Sequence, residues 1–126
     1  MSDSGPVATA VVIAADLDIR VLLRGLLRLH HFRVVGEAET EAEAVQLVRS
    51  QHPNLLVLDT NIANGSVATL LASVRRVSPD IRSVVVTQDS HTSTLEGPSG
   101  PSAVLKRPFR VRDFAEAVGA SPPTPG

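Results

Sequence analysis

Several short runs of this chain are apolar without any polar alternation, and that feature constrains the fold more than any other. Residues 8–14 (ATAVVIA) and 55–58 (LLVL) read this way, and residues 81–86 (IRSVVV) end in the same manner. A strand that is apolar toward both sides must be covered on both sides, which is the situation of a parallel sheet and not of a half-wet antiparallel one. Between these runs lie amphipathic stretches. Ile19, Leu22, Leu23, Leu26 and Leu27 recur at helical spacing, with Arg20, Arg24 and Arg28 on another face. Thr40 followed by Glu43 is a capping box that opens a second helix over Ala44, Leu47 and Val48, and Pro53 stops it. After the turn signal Asn64-Gly65, the residues Val67, Leu70, Leu71 and Val74 form a third stripe. Residues 32–35 and 103–105 read as two further strands, and a last helix after Pro108 carries Val111, Phe114 and Val118.

Strands that each feed a helix define βαβ units and an α/β domain. One interval breaks the pattern. Residues 88–102 (QDSHTSTLEGPSGPS) contain a single Leu, so the helix expected between the fourth and fifth strands should be short or missing. The ends are rich in Ser, Pro, Gly and Ala. Residues 1–7 and 120–126 are expected to be disordered tails around one domain, residues 8–119.

Composition removes several classes of function. The absence of cysteine excludes a disulfide scaffold, a thiolate zinc site and a cysteine nucleophile. A net charge of −1, from 13 acids and 12 bases, lacks the basic excess of a nucleic-acid binder. No apolar run approaches the ~20 residues of a membrane span, and the N-terminus lacks a basic, greasy leader, so a cytoplasmic location away from membranes is expected. The four histidines are scattered, and His30-His31 sits where a helix end favours a cation.

In an open parallel sheet, chemistry collects at the carboxyl ends of the strands. That rim carries Ala14, Ala15 and Asp16 after the first strand, Asp59 after the third, Thr87 after the fourth, and Lys106 and Arg107 after the fifth. A carboxylate nucleophile beside a hydroxyl and a cation can take a phosphoryl group. Each residue also has a plainer use: Asp59 as a strand-end hydrogen-bond acceptor, Asp16 or Asp18 as a helix N-cap, and Lys106 as a solvated cation over the sheet edge.

The stretch VVGEAETEAEAVQLVRSQHPNLLVLD (34–59), with VVVT (84–87) and KRPF (106–109), resembles response-regulator receiver domains over residues 8–119. The GEA motif is frequent among the NarL-like and antitermination-type members. The resemblance implies a flavodoxin-like, five-stranded parallel sheet of order 2-1-3-4-5 with helices on both faces. It puts Asp59 at the phosphoacceptor, Thr87 at the switch threonine, Lys106 at the phosphate-contacting lysine, and Asp59 and Asn61 among the metal ligands.

This chain departs from the family pattern at several positions. Aligned without a gap, the acidic pair that holds Mg²⁺ becomes Ala14 and Ala15, while a one-residue gap brings Asp16 to the second acid. Anchored on Pro108, Arg107 takes the lysine position, and Lys106 takes it only if the turn bulges. The aromatic switch position on the fifth strand is Val104 or Ala103. The expected cofactor is therefore none, or weakly bound Mg²⁺. The leading expectation is an atypical receiver in bacterial two-component signalling that acts by protein–protein contact, with a surface built from Arg107, Arg110, Arg112 and Phe114. The alternative is a working phosphoacceptor that phosphorylates itself at Asp59 with Asp16 holding the metal. The expected partner is a sensor kinase or another signalling protein, with a homodimer possible.

Overall fold

A computed structural model describes residues 8–60, 66–87 and 101–119 of the chain. Five strands, β1 (Thr9–Ile13), β2 (Arg33–Ala38), β3 (Leu55–Asp59), β4 (Arg82–Thr87) and β5 (Ala103–Lys106), alternate with α1 (Leu17–Leu29), α2 (Glu41–Gln51) and α3 (Val67–Val77), and α4 (Val111–Ala117) closes the order. The strands pair in parallel in the order β2-β1-β3-β4-β5. This is the doubly wound sheet that the non-alternating runs require. The expected gap in helix between β4 and β5 falls on residues 88–100, outside the described residues, as do both expected tails.

Alternation along each strand sorts the core into two layers. Val11, Ile13, Leu56, Leu58 and Val85 pack under α2 and α3, and Ala10, Val12, Leu55, Val57, Val84, Val86 and Leu105 pack under α1 and α4. The interiors of β1, β3 and β4 are buried throughout, while the edge strands β2 and β5 are only partly covered. Each Leu or Val so buried contributes roughly 1.5–3 kcal/mol.

Caps set where the helices begin. The Asp16 carboxylate accepts the Asp18 N–H at 2.8 Å and opens α1. Thr40 Oγ1 accepts the Glu43 N–H at 3.2 Å, while the Glu43 carboxylate accepts the Glu39 N–H at 3.0 Å. The reciprocal arm of this box thus lands one residue before the cap. Ser66 opens α3 in the same way. Gly36 allows α2 to lie close on β2, since a Cβ there would stand 2.6 Å from Leu47 Cδ2.

Two elements differ from the sequence reading. β2 runs through Gly36, Glu37 and Ala38, because these residues pair with Val11, Val12 and Ile13 of β1 beyond an irregularity in register. The apolar stripe of α1 is also narrower than its leucines suggest. Leu23 and Leu27 are fully buried, but Leu22 is 46% exposed, because one sheet face covers only part of the helix circumference.

Candidate functional site

The site lies at the carboxyl ends of β1, β3, β4 and β5. Asp59 closes β3 in register with Val86, which in turn pairs with Leu105 of β5. Thr87 pairs with Lys106, and the Arg107 N–H donates to the Thr87 carbonyl at 2.7 Å. Asp59 and Thr87 are both buried, at 2% and 1% exposure.

The same register decides which cation meets Asp59. Asp59, Val86 and Leu105 form one cross-strand row, and Leu105 packs in the layer under α1 and α4. Side chains alternate along a strand, so Arg107 follows Leu105 on that side and Lys106 takes the other. Arg107 Nη2 accordingly stands 3.9 Å from Asp59 Oδ1, with the arginine side chain 21% exposed, and Lys106 is exposed. Of the two cations left open by the sequence, the structure brings Arg107 to the carboxylate and leaves Lys106 in solvent. Arg107 Nε is buried without a hydrogen-bond partner among the described residues.

The β1 side of the rim is built differently. Ala14 is fully buried and Ala15 half-buried. Arg20 Nη1 donates to the Ala14 carbonyl at 2.8 Å and pairs with Glu39 at 3.3 Å, Arg20 Nε lies 3.7 Å from Glu37, and Arg24 pairs with Glu37 at 2.7 Å. Sequence reading missed this cluster. Glu37 becomes its signal only once β2 is seen to run on to Ala38, since a charged residue inside a strand needs a nearby cation. Asp16 is exposed and engaged as the cap of α1. Asn61 lies outside the described residues.

Mg²⁺ takes about six oxygens in a strict octahedron. Among the described residues no group of three or more Asp, Glu or His side chains stands ready for a metal. The rim offers Asp59, already facing a guanidinium, and the methyl groups of Ala14 and Ala15. Asp16, the other carboxylate on this rim, is turned to the cap of α1.

The residues expected to form a partner surface divide. Arg110 and Arg112 are exposed at the start of α4, with Arg110 Nε 3.8 Å from Asp113. Phe114 corrects the expectation. It is fully buried, its ring centroid 5.9 Å from those of Phe109 and His30, because α4 turns this side onto the sheet. Arg107 too is largely enclosed, lining a groove of about 570 Å³ with Leu22, Leu26, Pro108, Phe109 and Val111.

The parallel order 2-1-3-4-5 with a buried aspartate at the end of β3 is the arrangement of a phosphorelay receiver. Residues 11–118 match the response regulator receiver domain family, and the chain belongs to it. The transcriptional regulatory protein PdtaR of Mycobacterium tuberculosis is 32% identical over 113 residues, covering 86% of this chain and 54% of PdtaR. The chain thus spans about half the length of that relative. The chemotaxis protein CheY of Bacillus subtilis is 22% identical over 102 residues, 79% of this chain and 85% of CheY. In structure, the signal receiver domain of the putative response regulator NarL from Mycobacterium tuberculosis superposes with a TM-score of 0.80 at 21% identity, covering 90% of this chain and 94% of that one. Among the described residues, no helix is long and apolar enough to cross a membrane.

Proposed function

We propose that this receiver domain signals in the cytoplasm by protein–protein contact, with weak or no Mg²⁺-dependent phosphorylation of Asp59. The observation that carries this reading is the placement of Arg107 at Asp59 while the β1 rim offers Ala14 and Ala15. Phosphoryl transfer to a carboxylate needs positive charge that gathers donor and acceptor oxygens together. A fixed guanidinium offsets the charge of Asp59, but it has no open coordination positions to share with an incoming phosphoryl group. The partner is a sensor kinase or another signalling protein, met through the exposed Arg110 and Arg112 and without direct contact to nucleic acid.

A second reading has its own support. The buried, unpartnered Arg107 Nε beside Asp59 is a donor that a phosphoryl oxygen could satisfy. On this reading Asp59 is phosphorylated and Asp16 leaves its cap to hold the metal.

One experiment separates the two. Amide shifts near Asp59 are followed during a Mg²⁺ titration, without and with beryllofluoride. The first reading expects no saturable change, and saturation below about 1 mM Mg²⁺ would overturn it in favour of the second. In parallel, affinity for the partner should be insensitive to Asp59→Asn and reduced by Arg110→Glu.

A further inference from the structure

Helix α1 presents to solvent a face that the chain's own packing does not explain. Leu17, Val21, Leu22 and Leu29 are 45–60% exposed, a concentration of large apolar side chains on one element. At 3.6 residues per turn, Gly25 is the residue most nearly opposite the buried pair Leu23 and Leu27. A Cβ at Gly25 would meet nothing within 4 Å. Glycine inside a helix costs stability relative to alanine, and here no neighbour among the described residues requires the small residue. A glycine on the crest of an apolar helix face is suited to the close approach of a second helix.

The charges on this face say which helix. Asp18 lies in the first turn and Arg28 in the last, both exposed, and neither forms an ion pair with another described residue. By contrast, Arg20 and Arg24 are engaged with Glu37 and Glu39. Leu17 and Leu29, Asp18 and Arg28, and Val21 and Gly25 are each placed symmetrically about position 23. An antiparallel copy of the same helix, related by a two-fold axis at that level, therefore brings Leu17 to the level of Leu29 of the other copy. It also brings Asp18 to the level of Arg28, within reach of that long side chain, and the Val21 methyls beside Gly25 at the centre of the contact. A parallel pair would oppose Asp18 to Asp18. The face is complementary to itself, which is the requirement of an isologous dimer.

We infer that α1 is the interface of a two-fold homodimer of this chain, centred on Val21 and Gly25 and flanked by the Asp18–Arg28 pairs. Leu22 and the exposed Val111 of α4 lie beside the stripe and widen it. An interface built on one short helix from each copy is at the small end of specific contacts, so a dissociation constant on the order of 10–100 µM is expected.

Sedimentation equilibrium of the whole chain tests this between roughly 10 and 500 µM. The weight-average mass should rise from the 13.3 kDa chain toward twice that value. Gly25→Leu should weaken self-association at least tenfold while leaving the melting temperature unchanged or higher, since the space around position 25 is open. Asp18→Arg should weaken it severalfold, and adding Arg28→Asp should bring it back to near the wild-type value. Arg28→Asp alone is the parallel single variant should Asp18→Arg fold poorly. A chain that stays monomeric at the highest concentration overturns the inference and leaves the face to a helix of another protein. Undiminished dimerisation of Gly25→Leu, or a charge swap no better than either single variant, overturns it equally.

Discussion

Arg107 Nη2 stands 3.9 Å from Asp59 Oδ1, and the carboxylate is almost wholly enclosed while the arginine keeps a fifth of its side chain in solvent. The separation is too long for a hydrogen bond, so the attraction here is Coulombic. A carboxylate buried without a counter-charge carries a penalty of several kcal/mol, which makes the pair matter more to Asp59 than to Arg107. The Asp59 carboxylate is thereby tied to the turn that leads into α4.

Removing the cation should therefore cost stability that removing the anion restores. Arg107→Met is expected to destabilise the domain by about 1–3 kcal/mol, and Asp59→Asn in the same background should recover at least half of that loss. Urea unfolding of the four members of the cycle measures the coupling. Additive losses would mean that the pair contributes nothing.

The rim was only partly legible in the sequence, and the reason is parity. Strands such as Leu55–Asp59 are plain because apolar runs without alternation have few other uses. Whether Lys106 or Arg107 reaches Asp59 turns on a shift of one residue, and KRPF permits both. The tertiary row Asp59–Val86–Leu105 settles it. The end of β2 was hidden for a similar reason, since Gly36 and Glu37 are poor strand formers that β1 recruits by pairing. On α1 and α4 the error ran the other way. Periodicity marks a stripe but not its width, so Leu22 and Val111 were counted inside with their neighbours, where burial keeps Leu23, Leu27, Phe114 and Val118 in the core and leaves those two exposed.

The start of α2 should respond to acid. The Glu39 N–H that Glu43 accepts holds this carboxyl below the usual glutamate range; slight burial opposes the effect, while Thr40 and the Arg20 charge add to it. A folded pKa below the unfolded one means stability that is present above the unfolded pKa and lost as pH falls through the folded one. Wild type should exceed Glu43→Gln in urea midpoint near pH 7, and the gap should close toward about pH 3. A gap independent of pH would show that the carboxylate's charge plays no part in the cap.

Core and surface on α4 should separate cleanly. Phe114→Ala is expected to cost about 3–5 kcal/mol, because a fully buried ring leaves a cavity between α4, α1 and the sheet. Arg112→Glu, two residues earlier and exposed, should stay within about 0.5 kcal/mol of wild type. Thermal unfolding of both variants checks the contrast, and a mild Phe114→Ala would place that ring outside the core.

The β1 rim offers a gain-of-function test of the proposed loss of metal affinity. Ala14 is fully buried, so an aspartate there would bring a charge into the core, whereas half-buried Ala15 can take a carboxylate that still reaches water. Ala15→Asp should raise Mg²⁺ affinity roughly tenfold by adding an oxygen ligand. The gain should stay incomplete while Arg107 faces Asp59, because a guanidinium repels a cation bound to the same carboxylate. Arg107→Met in the Ala15→Asp background should therefore tighten binding further, provided the fold survives, as near- and far-ultraviolet circular dichroism would report. Mg²⁺ titrations followed by amide shifts at the end of β3 give both affinities. Equal affinities for wild type and Ala15→Asp would mean that the missing acid is not what weakens the site, and no added gain from Arg107→Met would remove the guanidinium from the account.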